Sequence, residues 1–187
     1  MSNVQNTAVT DLMEARPDNN RRKSGRTLVL GLGNILLADE GVGVHVVREL
    51  AEHTLPGNVE VVDGGTAALD VLLLARDVQK LIVIDALRAG KEPGTVYVAR
   101  FAGGQESKLE AHFVRQGDSR ISLHQIGLVD ALSVAKRISD GPKEIVIIGV
   151  EPAKIDCGLQ LMDEIAHKVP QIIDIVLKEI EDAVHTE

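Results

Sequence analysis

Three residues of this 187-residue chain could do chemistry together: Glu40, Asp85 and His124. Glu40 is the second of an acidic pair, Asp39-Glu40, that follows the β-rich run Thr27–Leu32 and a Gly31-Leu32-Gly33 turn. Asp85 ends a second apolar run, Leu81–Asp85. His124 stands in Ser122-Leu123-His124-Gln125, whose spacing is that of a capping box opening a helix. The positive end of that helix dipole disfavours imidazolium and keeps the ring neutral, as a metal ligand must be. Two carboxylates and one imidazole make an O,O,N donor set with open positions, suited to nickel, zinc or iron.

The sign of the first corner carries information. Open α/β proteins place their chemistry where a helix starts at the C-terminal end of a strand. A phosphate site there uses glycines or a lysine, because phosphate brings its own negative charge. Asp39 and Glu40 repel phosphate and invite a cation. Each residue also has a plainer role open to it. Asp39 or Glu40 could cap a helix, Asp85 a turn, and His124 could be a hydrogen-bonded core residue. Asp63 competes with Asp85 as a carboxylate at a strand end, although "DGGT" reads well as a turn. His45, His53, His112, His167 and His185 lack ligand spacing and read as surface residues, and Cys157 as an incidental thiol. The joint arrangement is what lifts the functional reading, bringing it level with the plainer one.

These residues need a frame. Five apolar, β-branched runs, Thr27–Leu32, Val59–Asp63, Leu81–Asp85, Thr95–Phe101 and Ile145–Val150, predict strands. After the first, Val46, Val47, Leu50 and Ala51 form a helical stripe, with Arg48, Glu49 and Glu52 facing away. Further helices are predicted over Ala67–Leu74, over Leu123–Ile138 (Leu128, Ala131, Leu132 and Ala135 inward) and twice around Pro170. Crossovers through helices make the first three strands parallel and right-handed. About nine residues join the third and fourth strands, too few for a crossover helix. The fourth should therefore run antiparallel. The helix Leu123–Ile138 rises roughly 24 Å and ends near the start of the fifth strand, which lifts His124 to the opposite edge. The long segment Ala102–Ile121 must climb back to that edge, and such segments are often functional. If the first and third strands are neighbours, Glu40 and Asp85 flank the topological switch point.

Composition excludes several classes. Length fits one domain, and 44% hydrophobic residues with no Trp, one Tyr and two Phe imply a Val/Ile/Leu/Ala core. Net charge is −8, yet residues 1–26 carry five Lys/Arg against three Asp/Glu, so the remainder is more acidic than the whole. That argues against nucleic acid and anionic membrane as partners. One cysteine excludes an internal disulfide. Met1–Gly25 is polar and aperiodic and reads as a disordered tail before a single domain over residues 26–187. Twin arginines before an apolar stretch imitate an export signal, but Gly31, Gly33 and Asn34 interrupt it and no cleavage site follows. A cytoplasmic protein is expected. "GLGNIL" lacks the third glycine of a dinucleotide fingerprint, and no GK[ST], GxSxG or HExxH occurs, so no resident organic cofactor is expected.

Five blocks, "LGLGNILLADEGVGVHVVREL", "VEVVDGGTAALDVL", "LIVIDALRAGKEPGTVYV", "SLHQIGLVDALSVA" and "EIVIIGVEPAKIDCGLQL", resemble in order and spacing those of the nickel–iron hydrogenase maturation endopeptidases. They span roughly Thr27–Glu181. The resemblance implies a three-layer α/β/α sandwich with a five-stranded, mostly parallel sheet of order 2-1-3-5-4 and strand 4 antiparallel. It implies that Glu40, Asp85 and His124 are both the metal-contacting and the catalytic positions. It further implies removal of a C-terminal peptide from the hydrogenase large-subunit precursor after nickel insertion, with the nickel carried by that substrate. Asp39, Gly64-Gly65 and Gln125 would shape the cleft, and the protein would act as a monomer. Two alternatives stay open: a metallohydrolase with its own zinc, and a non-catalytic nickel-dependent chaperone of the large subunit.

Overall fold

Val, Ile and Leu occupy successive positions of the strands, a pattern that only a sheet covered on both faces can bury. The computed structural model of the chain describes residues 25–67, 77–103 and 141–184. Its strands are β1 (Arg26–Leu32), β2 (Val59–Gly65), β3 (Val78–Ala86), β4 (Val96–Ala102) and β5 (Glu144–Val150). A 3-10 turn (Ala38–Gly41) leads into helix α1 (Val42–Leu50), and short α2 (Asp163–Ala166) precedes the long α3 (Val169–Val184). All five expected strands are present. The sheet order is β2-β1-β3-β5-β4. β1 runs parallel to β2 and β3, β3 parallel to β5, and only β4–β5 is antiparallel. The short β3–β4 connection forced that reversal, and β4 pairs with β5 rather than with β3, with the Leu87 amide donating to the Val150 carbonyl at 2.8 Å.

One face of the sheet (Val29, Ile82, Ile84, Val146, Ile148) packs with Val46, Val47 and Leu50 of α1 and Ile172, Ile173, Val176 and Ile180 of α3. On the other face Leu28, Leu30, Leu32, Leu81, Val83, Ile145 and Ile147 are buried too. Pro170 sits in the first turn of α3, where its missing N–H interrupts no helical bond. One detail of the expected stripe is corrected: Ala51 lies just past the end of α1 and is exposed. The Glu52 and His53 amides bond three residues back, to Glu49 and Leu50, and this tighter winding rotates Ala51 outward. The predicted helices over Ala67–Leu74 and Leu123–Ile138, nearly all of the segment Ala102–Ile121, and residues 1–24 of the expected tail lie outside the described residues.

At the edge where β3 and β5 begin, Lys80 and Glu179 are both buried and joined at 2.9 Å. Arg100 also donates to Glu179, from Nε at 2.9 Å, and Glu144 lies 3.4 Å from Lys80. This cluster ties α3 to the sheet at the end opposite the C-terminal strand ends.

Candidate active site

The corner after β1 is built by close approach. Gly43 opens α1 between the ends of β1 and β3, where a Cβ would lie 2.2 Å from the Ile84 carbonyl oxygen and 2.4 Å from that of Leu32. Any side chain there would push the helix off the crevice. At Gly33, φ is +132° and a Cβ would meet the Glu40 carbonyl oxygen at 1.8 Å. The two glycines thus press the acidic turn onto the C-terminal ends of β1 and β3. Strand order makes this the switch point: the chain leaves β1 toward β2 on one side, and β3 flanks it on the other.

Asp39 and Glu40 occupy the turn in different ways. Asp39 is fully buried, and its carboxylate accepts three backbone N–H bonds from the loop after β5. These come from Ala153 (3.0 Å), Lys154 (2.8 Å) and Met162 (2.7 Å). Ala38, with φ of 50°, is held in the left-handed region. Its amide bonds to the Gly158 carbonyl at 2.8 Å. The expectation that Asp39 shapes the cleft takes a specific form: it fastens the β5–α2 loop to the acidic turn. Glu40 is half-buried and leaves this clamp to its neighbour.

Asp85 lies in β3 one residue past Ile84, the last partner of β1, and opposite Gly149 of β5. It is 3% exposed. Oδ1 accepts the Ala86 amide at 2.8 Å, whereas Oδ2 is buried with no hydrogen-bond partner among the described residues. Burial pushes the Asp85 carboxyl up to about 8, against the pull of the Ala86 hydrogen bond, and the negative charge of Glu40 adds to the rise. The two carboxylates therefore sense one another across the crevice. A buried carboxyl oxygen without a hydrogen-bond partner among the described residues, with a second acidic residue near enough to raise its pKa, is an arrangement that a hydrogen-bond donor or a bound cation could satisfy. Among the described residues no three His, Cys, Asp or Glu side chains gather closely enough to hold a metal alone. His124 and Gln125 lie outside the described residues, so the structure brings together two of the three predicted site residues.

The competitor Asp63 is engaged elsewhere. It sits at the end of β2, on the far side of β1, accepts the Gly65 amide at 3.1 Å and pairs with Arg48 at 2.9 Å. Gly64-Gly65 reaches the acidic corner through the backbone, since the Gly33 amide donates to the Gly65 carbonyl at 2.8 Å. His45 is corrected from a surface residue: it is half-buried on α1, and its Nε2 is buried with no partner among the described residues. Burial, helped by the nearby Arg48 charge and opposed by Asp63, holds its pKa below the ordinary histidine value. Lack of ligand spacing is the ground for reading it as a surface residue, and that says nothing about burial. His53, His167 and Cys157 are exposed as expected. Sequence reasoning passed over Glu151. This buried carboxylate accepts the Ala89 and Gly90 amides (2.8 and 3.1 Å) and the Tyr97 hydroxyl (2.9 Å), fixing the loop that follows Asp85. Its only signal was its place directly after a strand end.

The sequence model of the hydrogenase maturation protease family matches residues 44–179. The hydrogenase expression/formation protein HupD of Rhodobacter capsulatus is 36% identical over 160 residues, covering 84% of this chain and 72% of its own. The hydrogenase 2 maturation protease of Escherichia coli is 34% identical over 160 residues, 84% and 92% of the two chains. Among solved structures, the hydrogenase maturating endopeptidase HybD from E. coli superposes with a TM-score of 0.74 at 33% identity, covering 84% of this chain and 93% of that one. The [NiFe] hydrogenase maturation protease HybD from Thermococcus kodakarensis gives 0.65 at 28% identity, covering 83% and 99%. With its sheet order and most of its length in agreement, this chain belongs to the hydrogenase maturation protease family and is a peptidase.

Proposed function

We propose that this peptidase removes the C-terminal extension of a nickel–iron hydrogenase large-subunit precursor after nickel has been inserted, and that it recognises the nickel carried by that substrate. The observation that carries the reading is the buried Oδ2 of Asp85, which has no hydrogen-bond partner among the described residues and feels the charge of Glu40. Two hard oxygen donors at an open crevice complete a coordination shell whose other ligands arrive with the metal. His124, at the start of its expected helix, supplies the third donor. The substrate's nickel contributes Lewis acidity, either polarising the scissile carbonyl or activating a water. Glu40 and Asp85 hold the precursor so that the peptide bond lies over the C-terminal ends of β1 and β3, while the Asp39 clamp fixes the turn on which Glu40 stands. No described helix is long and apolar enough to cross a membrane. We read the protein as a monomer acting in the cytoplasm on the precursor, its acidic charge unsuited to nucleic acid or anionic membrane.

Elemental analysis of the purified protein, combined with mass spectrometry of precursor incubated with it, tests the reading. Little stoichiometric metal in the protease is expected, with cleavage of the nickel-loaded precursor and sparing of the nickel-free form. A tightly held zinc with equal cleavage of both forms would transfer the site to a resident-metal hydrolase. Binding of nickel-loaded precursor without any mass change would make the protein a chaperone.

A further inference from the structure

The described residues expose three large hydrophobic side chains: Leu36 at 59%, Leu159 at 63% and Met162 at 39%. All three lie on two adjoining loops. Leu36 precedes the acidic turn, and Leu159 and Met162 belong to the segment between β5 and α2. The loops are locked together. The Gly158 amide donates to the Leu36 carbonyl at 3.0 Å, Leu37 and Gly158 form a parallel bridge, and Asp39 accepts the Met162 amide at 2.7 Å. The Asn34 side chain further accepts the Leu36 amide at 3.0 Å. The exposure is therefore built into a hydrogen-bonded frame. Single exposed leucines need no explanation, but a cluster at one rim does.

We infer that Leu36, Leu159 and Met162 form a docking rim for the polypeptide substrate, seating an apolar side chain within a few residues of the scissile bond. The inference rests on the proposed processing of a precursor polypeptide. Continuity with the catalytic corner identifies the occupant. Leu36 is four residues from Glu40, and Met162 hangs from the carboxylate next to it. A polypeptide presented to Glu40 and Asp85 continues on either side of the cut, and extended chain advances about 3.3 Å per residue. Residues flanking the bond must pass over this rim, where an apolar side chain removes its own surface and that of the leucines from water. A second copy of the chain and the chain's own basic N-terminal residues are the other candidate occupants, and the test distinguishes them.

The test uses the full chain and nickel-loaded precursor, comparing Leu36→Ser/Leu159→Ser with Leu36→Met/Leu159→Met. The serine pair should raise KM for the precursor roughly ten- to hundred-fold. The methionine pair should keep KM within about two-fold, since apolar area rather than shape is required. Melting temperature should stay nearly constant in both, because the side chains already face water. An unchanged KM in the serine pair, or a loss confined to kcat, overturns the rim. A change in oligomeric mass without a change in KM assigns the rim to self-association and overturns it. A fall in KM on removing residues 1–24 makes those residues the occupant, with the same consequence. If the unaltered protein neither binds nor cuts the precursor, the proposed function itself falls and takes the rim's occupant with it.

Discussion

Two buried carboxylates at opposite ends of the same sheet behave in opposite ways. Glu179, at the edge where the parallel strands begin, meets Lys80 and Arg100. Burial alone would raise its pKa, but hydrogen bonds and charge from both cations hold it below the ordinary carboxylate value. Asp85, at the edge where those strands end, accepts one amide among the described residues, feels the charge of Glu40, and is pushed up to about 8, mainly by burial. The fold can satisfy a buried acid completely where stability is the purpose. Leaving one unsatisfied at the switch point is costly, and unmet polar groups of this kind concentrate at functional sites.

The largest effects should come from the unsatisfied end. Glu40→Gln, Asp85→Asn and His124→Ala should each lower precursor processing at least about a hundred-fold, a loss of roughly 3 kcal/mol of transition-state stabilisation. Circular dichroism should show each still folded. Full processing by two of the three would remove the contrast between the ends.

Breaking the satisfied end should do the reverse, costing stability first. Glu179→Ala strands the Lys80 ammonium in a buried position and should destabilise by about 3–5 kcal/mol, read from urea unfolding. Removing both partners, as Lys80→Met with Glu179→Leu, should cost much less. If Glu179→Ala unfolds at the same urea concentration as the parent, the cluster is ornamental and the comparison fails.

The pH dependence sharpens the contrast at the other end. A carboxyl raised from its unfolded value near 3.8 to about 8 binds more protons in the folded state. Its contribution to stability is present below pH 3.8 and is lost as pH rises through 8. Asp85→Asn removes the buried charge, so at pH 8 it should melt several degrees above the parent while losing processing. The difference should shrink toward pH 5. A variant less stable at pH 8 than at pH 5, relative to the parent, would contradict the unpaired state of Asp85.

The smallest effects are expected away from both ends. Deleting residues 1–24 and substituting Cys157→Ser should leave melting temperature and cleavage nearly unchanged, because Cys157 is exposed and the first segment offers no apolar period. Loss of cleavage in Cys157→Ser would reopen a thiol mechanism.

Apolar, β-branched runs made all five strands legible: β1, β3 and β5 are buried on both faces, and the edge strands β2 and β4 carry the same residue types although only partly buried. Loop length made β4 antiparallel, and its pairing with β5 rather than β3 followed only from the family resemblance. The helical stripe of α1 was readable at Val46, Val47 and Leu50 and failed at Ala51, where a tighter turn ends the helix. His45 failed for a different reason: its ring is half-buried and its Nε2 fully so, and lack of ligand spacing says nothing about burial.

For the site, the sequence by itself determined which residues could matter: an acidic pair after a strand, an aspartate ending another, and the turn chemistry that brings them to one edge. Only the tertiary structure decided how Asp39 and Glu40 divide their labour. They are neighbours of the same chemical type, and nothing local separates them. The amides that claim Asp39 come from Ala153, Lys154 and Met162, more than a hundred residues along the chain. Hydrogen-bond satisfaction of a buried group depends on what the fold brings to it, and those partners leave no trace beside the residue they satisfy.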